Sequence, residues 1–255
     1  MVRARDALRA GERKRFDGRR VLGDGLDRLD GDVSVRRFVL VGQRATATPE
    51  FLLTDIPGTS GRLDVMLRAL RAALLVSHGL RRDTVVYLVL LGGSAAPRSI
   101  RVDGAAAKYI RPDERSLAVM VRKALTAAAE QTDATFVNVR PGIAVAAGGL
   151  DAVIADLGAH TAYRLDEAGG EVREANLDPE NPVFFVGDHL GFDAATDARL
   201  NALAPIALSI GPVSLHAEDA IAIVVNELDR RERGPGRERG RCCKLVSLVL
   251  GKVQK

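Results

Sequence analysis

Apolar segments of strand length alternate with amphipathic segments along most of the chain. The runs at 38–42 and 85–91 are continuously apolar, which predicts strands buried on both faces, as in the centre of a parallel sheet. Further strands are predicted at 100–102, 135–139, 161–165, 183–186 and 206–210. Helices are predicted at 63–77, 112–128, 193–203 and 217–228. The alternation of strands and helices indicates an α/β sheet with helices on both faces.

Glycine and proline predict two of the helix boundaries. The helix that starts at Leu63 is expected to end near His78 and Gly79, because glycine is favoured just after a helix. Pro112 is expected in the first turn of the next helix, where its missing N–H does no harm.

The two ends of the chain differ from its centre in pattern and charge. Residues 1–34 have little hydrophobic periodicity, and residues 232–255 begin with a Gly- and Pro-rich stretch, so both are predicted to be flexible basic extensions of a domain at 35–231. Residues 1–36 carry ten basic and seven acidic side chains, and residues 232–255 carry seven and two. The intervening body carries twenty basic and twenty-four acidic side chains. Because the body is net acidic, a polyanion must be held by a local arginine cluster.

Composition excludes several classes of protein. A chain of 255 residues with 47% hydrophobic side chains can bury a core without a metal or disulfide, so disordered and fibrous classes are excluded. The adjacent cysteines, Cys242 and Cys243, form no disulfide framework, which favours a reducing, cytoplasmic setting. No apolar run reaches the roughly 18 residues of a membrane span. The four histidines lack partners at metal-ligand spacing, so no metal site is expected.

Several glycines directly follow apolar strands. Gly187 and Gly211 each end an apolar run, and Gly169-Gly170 follow the predicted strand at 161–165. The carboxyl ends of strands form the ligand crevice of an α/β sheet, and glycine lets backbone amides approach a flat ligand. Two interpretations stay open, a ligand-binding crevice and turns that serve geometry alone. The sequence has no dinucleotide fingerprint, P-loop, HExxH or GxSxG motif.

Beyond these turns, residues 36–231 resemble the archaeal tRNA pseudouridine-54 N1-methyltransferases of the SPOUT superfamily. The resemblance rests on a series of short motifs that occur in the family's order. They are DIPG at 55–58, GRLDV at 61–65, LVSH at 75–78, RRD at 81–83, RPDER at 111–115, PGI at 141–143, ENPVF at 180–184, GDHLG at 187–191, SIGPVSL at 209–215 and NELD at 226–229.

The resemblance implies a SPOUT-type parallel sheet, a C-terminal deep trefoil knot and a homodimer. It also implies transfer of a methyl group from S-adenosylmethionine to N1 of pseudouridine 54 in the T-loop of tRNA. In such proteins the cofactor rests on backbone groups of the knotted loops. The implied cofactor-binding residues are Leu165, Gly187, Ile210, Gly211, Pro212, Val213, Ser214 and Leu215.

Asp64 is the candidate general base, because a carboxylate near N1 can hydrogen-bond to it or accept its proton. It lies beside Arg62, a second catalytic candidate, at the start of a predicted helix. The alternative is that Arg62 and Asp64 form a structural pair or a dimer contact. The candidate contacts to RNA phosphates are Arg62, Arg82, Arg111 and Arg115.

Two departures from the family pattern support another function. Ala220 stands where the family often has a cysteine, and Ala146-Ala147 replace a basic pair after Pro-Gly-Ile. These residues motivate the alternative of an RNA-binding knotted protein with lost or reduced catalysis. A dinucleotide-dependent dehydrogenase is a further α/β alternative, although its glycine fingerprint is absent.

Overall fold

The computed structural model describes residues 34–233. The predicted N-terminal extension up to residue 33 and the tail beyond 233 lie outside the described residues. In this part of the chain ten strands and six helices follow one another in this order: β1 (Arg36–Thr46), α1 (Ile56–Thr59), α2 (Leu63–Leu74), β2 (Leu75–Val76), β3 (Gly79–Leu80), β4 (Thr84–Gly92), β5 (Arg98–Asp103), α3 (Glu114–Ala127), β6 (Val137–Arg140), β7 (Ile143–Ala146), α4 (Leu150–Leu157), β8 (Thr161–Glu171), β9 (Pro182–Gly187), α5 (Ala194–Asn201), β10 (Ile206–Ser209) and α6 (Ala217–Arg233).

Eight of these strands form one mixed sheet in the order β10-β8-β9-β1-β4-β5-β7-β6. The pairs from β10 to β4 are parallel, and those from β4 to β6 are antiparallel. The prediction of a parallel α/β sheet is therefore confirmed for one half. In the other half β4 and β5 are joined by only five residues, 93–97, which is too short for a parallel crossover.

Helices cover both faces of the sheet, as the sequence predicts. On one face α2, α3 and α6 pack against alternate residues of β1 and β4, such as Phe38 and Leu88. There the rings of Phe38, Phe184 and Tyr163 stack with centroids 5.3 and 5.2 Å apart. On the other face α4 and α5 pack against Val39 and its neighbours. The continuous apolarity of β1 and β4 follows from this burial on both sides.

Helix α6 buries one apolar stripe, formed by Ile221, Val224, Val225 and Leu228. The helix continues through Arg233, two residues beyond the predicted domain boundary. Within residues 34–233, no helix has both the length and the apolar character needed to cross a membrane.

Two predicted helix boundaries are wrong. Helix α2 ends at Leu74 rather than near His78, because the chain turns into the short hairpin β2–β3, where the Arg81 N–H donates to the Leu74 carbonyl at 2.8 Å. Helix α3 begins after Asp113, whose carboxylate caps it by accepting from the Ser116 N–H at 2.8 Å. Pro112 therefore precedes the N-cap instead of lying in the first turn.

Candidate active site

A cleft of about 820 Å³ opens at the carboxyl ends of β9 and β10 and beside residues 164–167 within β8. The predicted end of this strand at Leu165 is wrong, because β8 continues through Gly169 and Gly170 to Glu171, and neither glycine lines the cleft. The start of α6 and the loop before α2 complete its walls. We call it the carboxyl-end cleft. Seven of the eight predicted cofactor-binding residues line it, namely Leu165, Gly187, Ile210, Gly211, Val213, Ser214 and Leu215. The eighth, Pro212, is exposed and is not among the lining residues.

The loop after β9 is held against the end of β1 by Asp188. Its N–H donates to the Val41 carbonyl at 3.0 Å, and its carboxylate accepts from the Gln43 N–H at 2.9 Å. Gly187 permits the loop to fold back, since a Cβ there would lie 2.9 Å from the backbone of Gly191. The glycine is needed for this close approach.

The loop after β10 presents backbone groups to the cleft. Gly211 has φ +144°, and its N–H donates to the Ser209 hydroxyl at 3.3 Å. The N–H groups of Val213, Ser214 and Leu215 have no hydrogen-bond partner within the described part of the chain. Because these N–H groups donate no hydrogen bond within the described chain, they are available to a ligand in the cleft.

A network of charged residues includes Arg62 and Arg68 of the cleft wall. The Arg62 Nε and Nη2 atoms donate to the two Asp64 oxygens at 3.0 and 3.1 Å. Arg68 Nη1 donates to Asp64 Oδ2 at 2.9 Å, and its Nε donates to Glu218 Oε1 on α6 at 2.7 Å. Arg62 reaches this position because it and Gly61 both have positive φ, at 68° and 63°. The network ties α2 to α6 at the rim of the cleft.

The electrostatics of this network favour the pairing role of Asp64 over the role of base. Burial alone would raise the pKa of the Asp64 carboxyl, but hydrogen bonds from Arg62 and Arg68 lower it below its ordinary value. The pKa of the Glu218 carboxyl is also lowered. Burial alone would raise it, but the hydrogen bond from Arg68 has the larger effect. A buried carboxylate held ionised by two guanidinium groups is a weak proton acceptor. Asp64 instead fixes two arginines that line the cleft.

Some cleft residues were not predicted from the sequence. They are Arg68, Arg164, Asp166, His189, His216 and Asp219. Arg68 carries a signal that could have identified it, because it lies four residues after Asp64 on the same helix face. Arg164 has one partner nearby in sequence, Asp166, which lies two residues further along β8 at 3.4 Å, but its other partners, Asp197 and Phe192, are distant in sequence.

The four predicted RNA contacts occupy three different places. Arg62 lines the carboxyl-end cleft, whereas Arg111 and Arg115 line a second pocket beside α3. Arg82 is engaged elsewhere, since its Nη1 donates to the carbonyls of Gly104 and Ala105 at 2.9 and 3.0 Å. The structure therefore favours an anchoring role for Arg82.

The alanines that depart from the family pattern have different surroundings. Ala220 is buried and lines the carboxyl-end cleft. Ala146 lies inside β7 opposite Ser99 and is fully buried. Ala147, the second residue of the pair, follows β7 and is half-buried. Among residues 34–233 no group of three or more His, Cys, Asp or Glu side chains could hold a metal ion.

The fold and the cleft together define an α/β protein with a site for a nucleotide-like ligand. Glycine-bordered loops at the carboxyl ends of parallel strands are the usual ligand site of such sheets. The volume is within the range of pockets for small ligands and cofactors, roughly 300–1,000 Å³.

Comparison with known proteins narrows this class. The chain belongs to the family described as "Putative SAM-dependent RNA methyltransferase", whose model matches residues 35–233. A relative from Methanosarcina acetivorans is 36% identical over 202 residues, which cover 79% of this chain and 94% of the relative. A relative from Halobacterium salinarum is 40% identical over 196 residues, which cover 76% and 96%. Both relatives are named tRNA (pseudouridine(54)-N(1))-methyltransferase.

One solved structure shares the fold. The crystal structure of Archaeoglobus fulgidus Nep1 bound to S-adenosylhomocysteine aligns with a TM-score of 0.51 and 17% sequence identity. The alignment covers 78% of this chain and 98% of that one.

Proposed function

We propose that this protein transfers a methyl group from S-adenosylmethionine to N1 of pseudouridine 54 in the T-loop of tRNA. The observation that carries the proposal is the convergence of Leu165, Gly187 and the loop at 210–215 on one cleft. The names of the relatives, which match over more than three quarters of the chain, agree with this chemistry.

The cleft fits S-adenosylmethionine in shape and donor set. Apolar side chains such as Leu165 and Ile210 suit the adenine ring, and the free N–H groups at 213–215 suit its polar edge. The carboxylates of Asp166 and Asp188 suit ribose hydroxyls and positively charged groups. We assign the binding site of the methyl donor to the segments that carry Leu165, Asp188 and residues 210–215, together with Gly187.

When bound, the methyl donor supplies an electrophilic methyl group. The residues of this chain position the acceptor, and oriented reactants can contribute on the order of 7–11 kcal/mol. Arg62 and Arg68 place two cations on the wall of the same cleft, where they can hold the nucleotide's phosphate or a polar edge of its base. Asp64 keeps both guanidinium groups in place. The target base must leave its stack to enter the cleft.

The proposal extends to the chain path and the assembly. We assign a SPOUT-type deep trefoil knot to the loops around β8, β9 and β10, a homodimer as the active form, and the cytoplasm as the location. The placement of β10 beyond β8, with β9 on the inner side of β8, supports a non-sequential chain path here. Light scattering tests the dimer, and a traced crystal structure with S-adenosylhomocysteine tests the knot.

Calorimetry and methyl transfer test the proposed function together. Leu215→Asp places a charge on the cleft wall at a residue that is already 44% exposed, so the variant is expected to fold. We expect it to lose S-adenosylhomocysteine binding and transfer of labelled methyl to pseudouridine-containing tRNA. Leu52→Asp is the matched control, since Leu52 is 59% exposed and lies outside the cleft.

Three results would contradict the proposal. Equal binding of S-adenosylhomocysteine by Leu215→Asp and Leu52→Asp would show that the cleft is not the cofactor-binding site. Binding of NAD in place of S-adenosylhomocysteine would favour a dehydrogenase. tRNA and cofactor binding without methyl transfer by the wild type would favour a binding protein that has lost catalysis, to which Ala220 on the cleft wall would contribute.

A further inference from the structure

A second pocket, of about 410 Å³, lies between the loop after β5, helix α3 and the hairpin β6–β7. Its lining is basic, and none of its lining residues is acidic. We call it the basic pocket and define it by Lys108, Tyr109, Arg111, Arg115, Lys123 and Arg140. A pocket with five cations is suited to an anionic ligand.

The concentration of positive charge here contrasts with the rest of the body. Residues 37–231 are net acidic and contain only two lysines, Lys108 and Lys123, and both line this pocket. All five cations are exposed, and none forms a salt bridge with a described residue. By contrast, Arg62 and Arg68 of the carboxyl-end cleft are paired with carboxylates. The cations of the basic pocket are therefore free to contact phosphates.

An exposed aromatic ring stands among these charges. Tyr109 is 94% exposed, whereas every other aromatic side chain within residues 34–233 is buried or half-buried. Its backbone has φ +60°, a conformation that residues other than glycine seldom adopt. Exposed aromatic rings flanked by cations are the usual platform for the bases of single-stranded nucleic acid.

The loop that carries Lys108 and Tyr109 is fixed from two sides. Arg82 donates to the carbonyls of Gly104, Ala105 and Ala107. On the other side Gly142 packs so closely that a Cβ there would lie 2.2 Å from the Ala107 nitrogen. The ring of Tyr109 therefore projects from a loop with a set position, which lowers the entropic cost of binding.

Helix α3, which carries part of the basic pocket, also contacts the wall of the carboxyl-end cleft. Glu114, the first residue of α3, lies 3.9 Å from Arg68 Nη1, and Arg68 lines the cleft. Arg115, the next residue, lines the basic pocket. When one nucleotide of an RNA strand lies in the cleft, the adjacent nucleotides can therefore lie along the start of α3.

We propose that the basic pocket binds the single-stranded nucleotides that flank the target in the tRNA loop. Tyr109 stacks on one base, and Lys108, Lys123 and Arg140 contact the phosphates beside it. The inference rests on the proposed function for the identity of the RNA. It adds a positioning site outside the cleft in which methyl transfer takes place.

Fluorescence anisotropy with labelled tRNA tests the stacking residue. We expect Tyr109→Ala to weaken binding about 10-fold or more, since base–aromatic stacking is sequence-tolerant and strong, and Tyr109→Phe to stay within about 2-fold of the wild type because it keeps the ring. Calorimetry should give unchanged S-adenosylhomocysteine affinity for both variants. Equal tRNA affinity for Tyr109→Ala and wild type would overturn the stacking, and so would a Tyr109→Ala variant that changes its oligomeric mass instead of its RNA affinity.

Variants that remove one or two charges test the phosphate contacts. Arg140→Ala and Lys108→Ala/Lys123→Ala should lower the salt dependence of tRNA binding, by about 0.7 in the log–log slope for each phosphate that the protein no longer neutralises. Arg199→Ala, an equally simple removal of a charge on the opposite face of the sheet, should leave the slope unchanged. An equal slope for all three variants would overturn the phosphate contacts.

The two proposals fail separately. A wild type that binds tRNA in a Tyr109-dependent way but neither binds S-adenosylhomocysteine nor transfers methyl would contradict the proposed function and leave the basic pocket in place. If the wild type methylates tRNA and the Tyr109→Ala variant keeps full tRNA affinity, the basic pocket is contradicted and the proposed function stands.

Discussion

At the scale of single residues, Asp64 can be interpreted as a general base or as the partner of two arginines. The sequence places a carboxylate beside Arg62 at a helix start, which suits either a base or a pair. The structure adds Arg68, which donates to the same carboxylate from the next helical turn. With both oxygens occupied, the carboxylate is better suited to holding arginines than to accepting a proton.

The Asp64→Asn variant separates these two roles. We expect kcat/KM for tRNA to fall on the order of 100-fold, because misplacement of reacting groups by about 1 Å costs that much. The shape of the pH–rate profile should not change if Asp64 only positions Arg62 and Arg68. Asp156→Asn is the matched control, since Asp156 also binds an arginine, Arg101, but lies outside the cleft. Disappearance of the acidic limb of the profile in Asp64→Asn alone would restore the base hypothesis.

Gly142 gives a second prediction at this scale. The residue has φ +71°, and its Cα faces the Ala107 backbone so closely that no Cβ fits. We expect Gly142→Ala to lower the free energy of unfolding by about 2–4 kcal/mol, from left-handed backbone strain plus overpacking. Gly191→Ala, also at φ +71° but with open space around it, should show only the strain. Urea unfolding measures both, and equal destabilisation would contradict the steric argument.

At the scale of elements, the sequence predicted the buried strands and long helices and missed short or small-residue ones. Strands β1 and β4 and helix α6 have unbroken patterns, so each was found. Strand β7 has only four residues, and the eight-residue helix α4 follows two glycines without a side-chain cap. Length alone does not explain why they were missed, since β6, β10 and α5 are equally short and were predicted. Both missed elements flank Gly148 and Gly149, which mark a turn in the sequence and mask the short patterns on either side.

The start of β1 and the end of α6 are joined by an ion-pair network around the buried Arg36, whose carboxylate partners are partly exposed. Arg36 is 1% exposed and lies within 3.2 Å of Asp83, Asp229 and Glu232, and Arg81 also donates to Asp229. Burial alone would raise the pKa of the Asp229 carboxyl, but bonds from Arg81 and Arg36 lower it. A carboxyl whose pKa is lower in the folded state stabilises the fold above its ordinary pKa, and this stabilisation disappears as the pH falls through the folded pKa.

Asp229→Asn should therefore destabilise the protein at neutral pH by about 2–3 kcal/mol, the usual contribution of hydrogen bonds to charged groups. The wild type should become less stable as the pH falls below about 4, and the variant should change less over the same range. Asp151→Asn removes an exposed pair with Arg199. It should leave the stability at neutral pH and its dependence on pH unchanged. Chemical unfolding across pH measures the difference, and parallel curves for wild type and Asp229→Asn would refute the assignment.

At the scale of the whole molecule, charge is distributed unevenly. The body is net acidic, yet five free cations meet in the basic pocket. We expect tRNA affinity to fall steeply with salt, and Arg111→Ala/Arg115→Ala to reduce this dependence, since phosphate contacts release counterions. Binding titrations over a salt series measure the slope. A flat response in the wild type would rule out phosphate contacts by these arginines.

The positions of the loops that line the carboxyl-end cleft were largely predictable, whereas the long-range contacts that complete the charged network were not. Glycines that end apolar strands indicate a crevice whatever the pairing of the sheet, so Gly187 and Gly211 were found from the sequence. The Arg68–Glu218 contact joins residues 150 positions apart, and the basic pocket joins three segments. Such sites depend on tertiary packing between distant segments, which local periodicity in the sequence does not predict.

The most direct test of the central claim is mass spectrometry of tRNA nucleosides after incubation with the protein and S-adenosylmethionine. For tRNA with pseudouridine at position 54, the account predicts one added methyl group on N1 of that nucleotide. It predicts none for the same tRNA with uridine there. A methyl group at another position, or unmodified pseudouridine with both ligands bound, would contradict it.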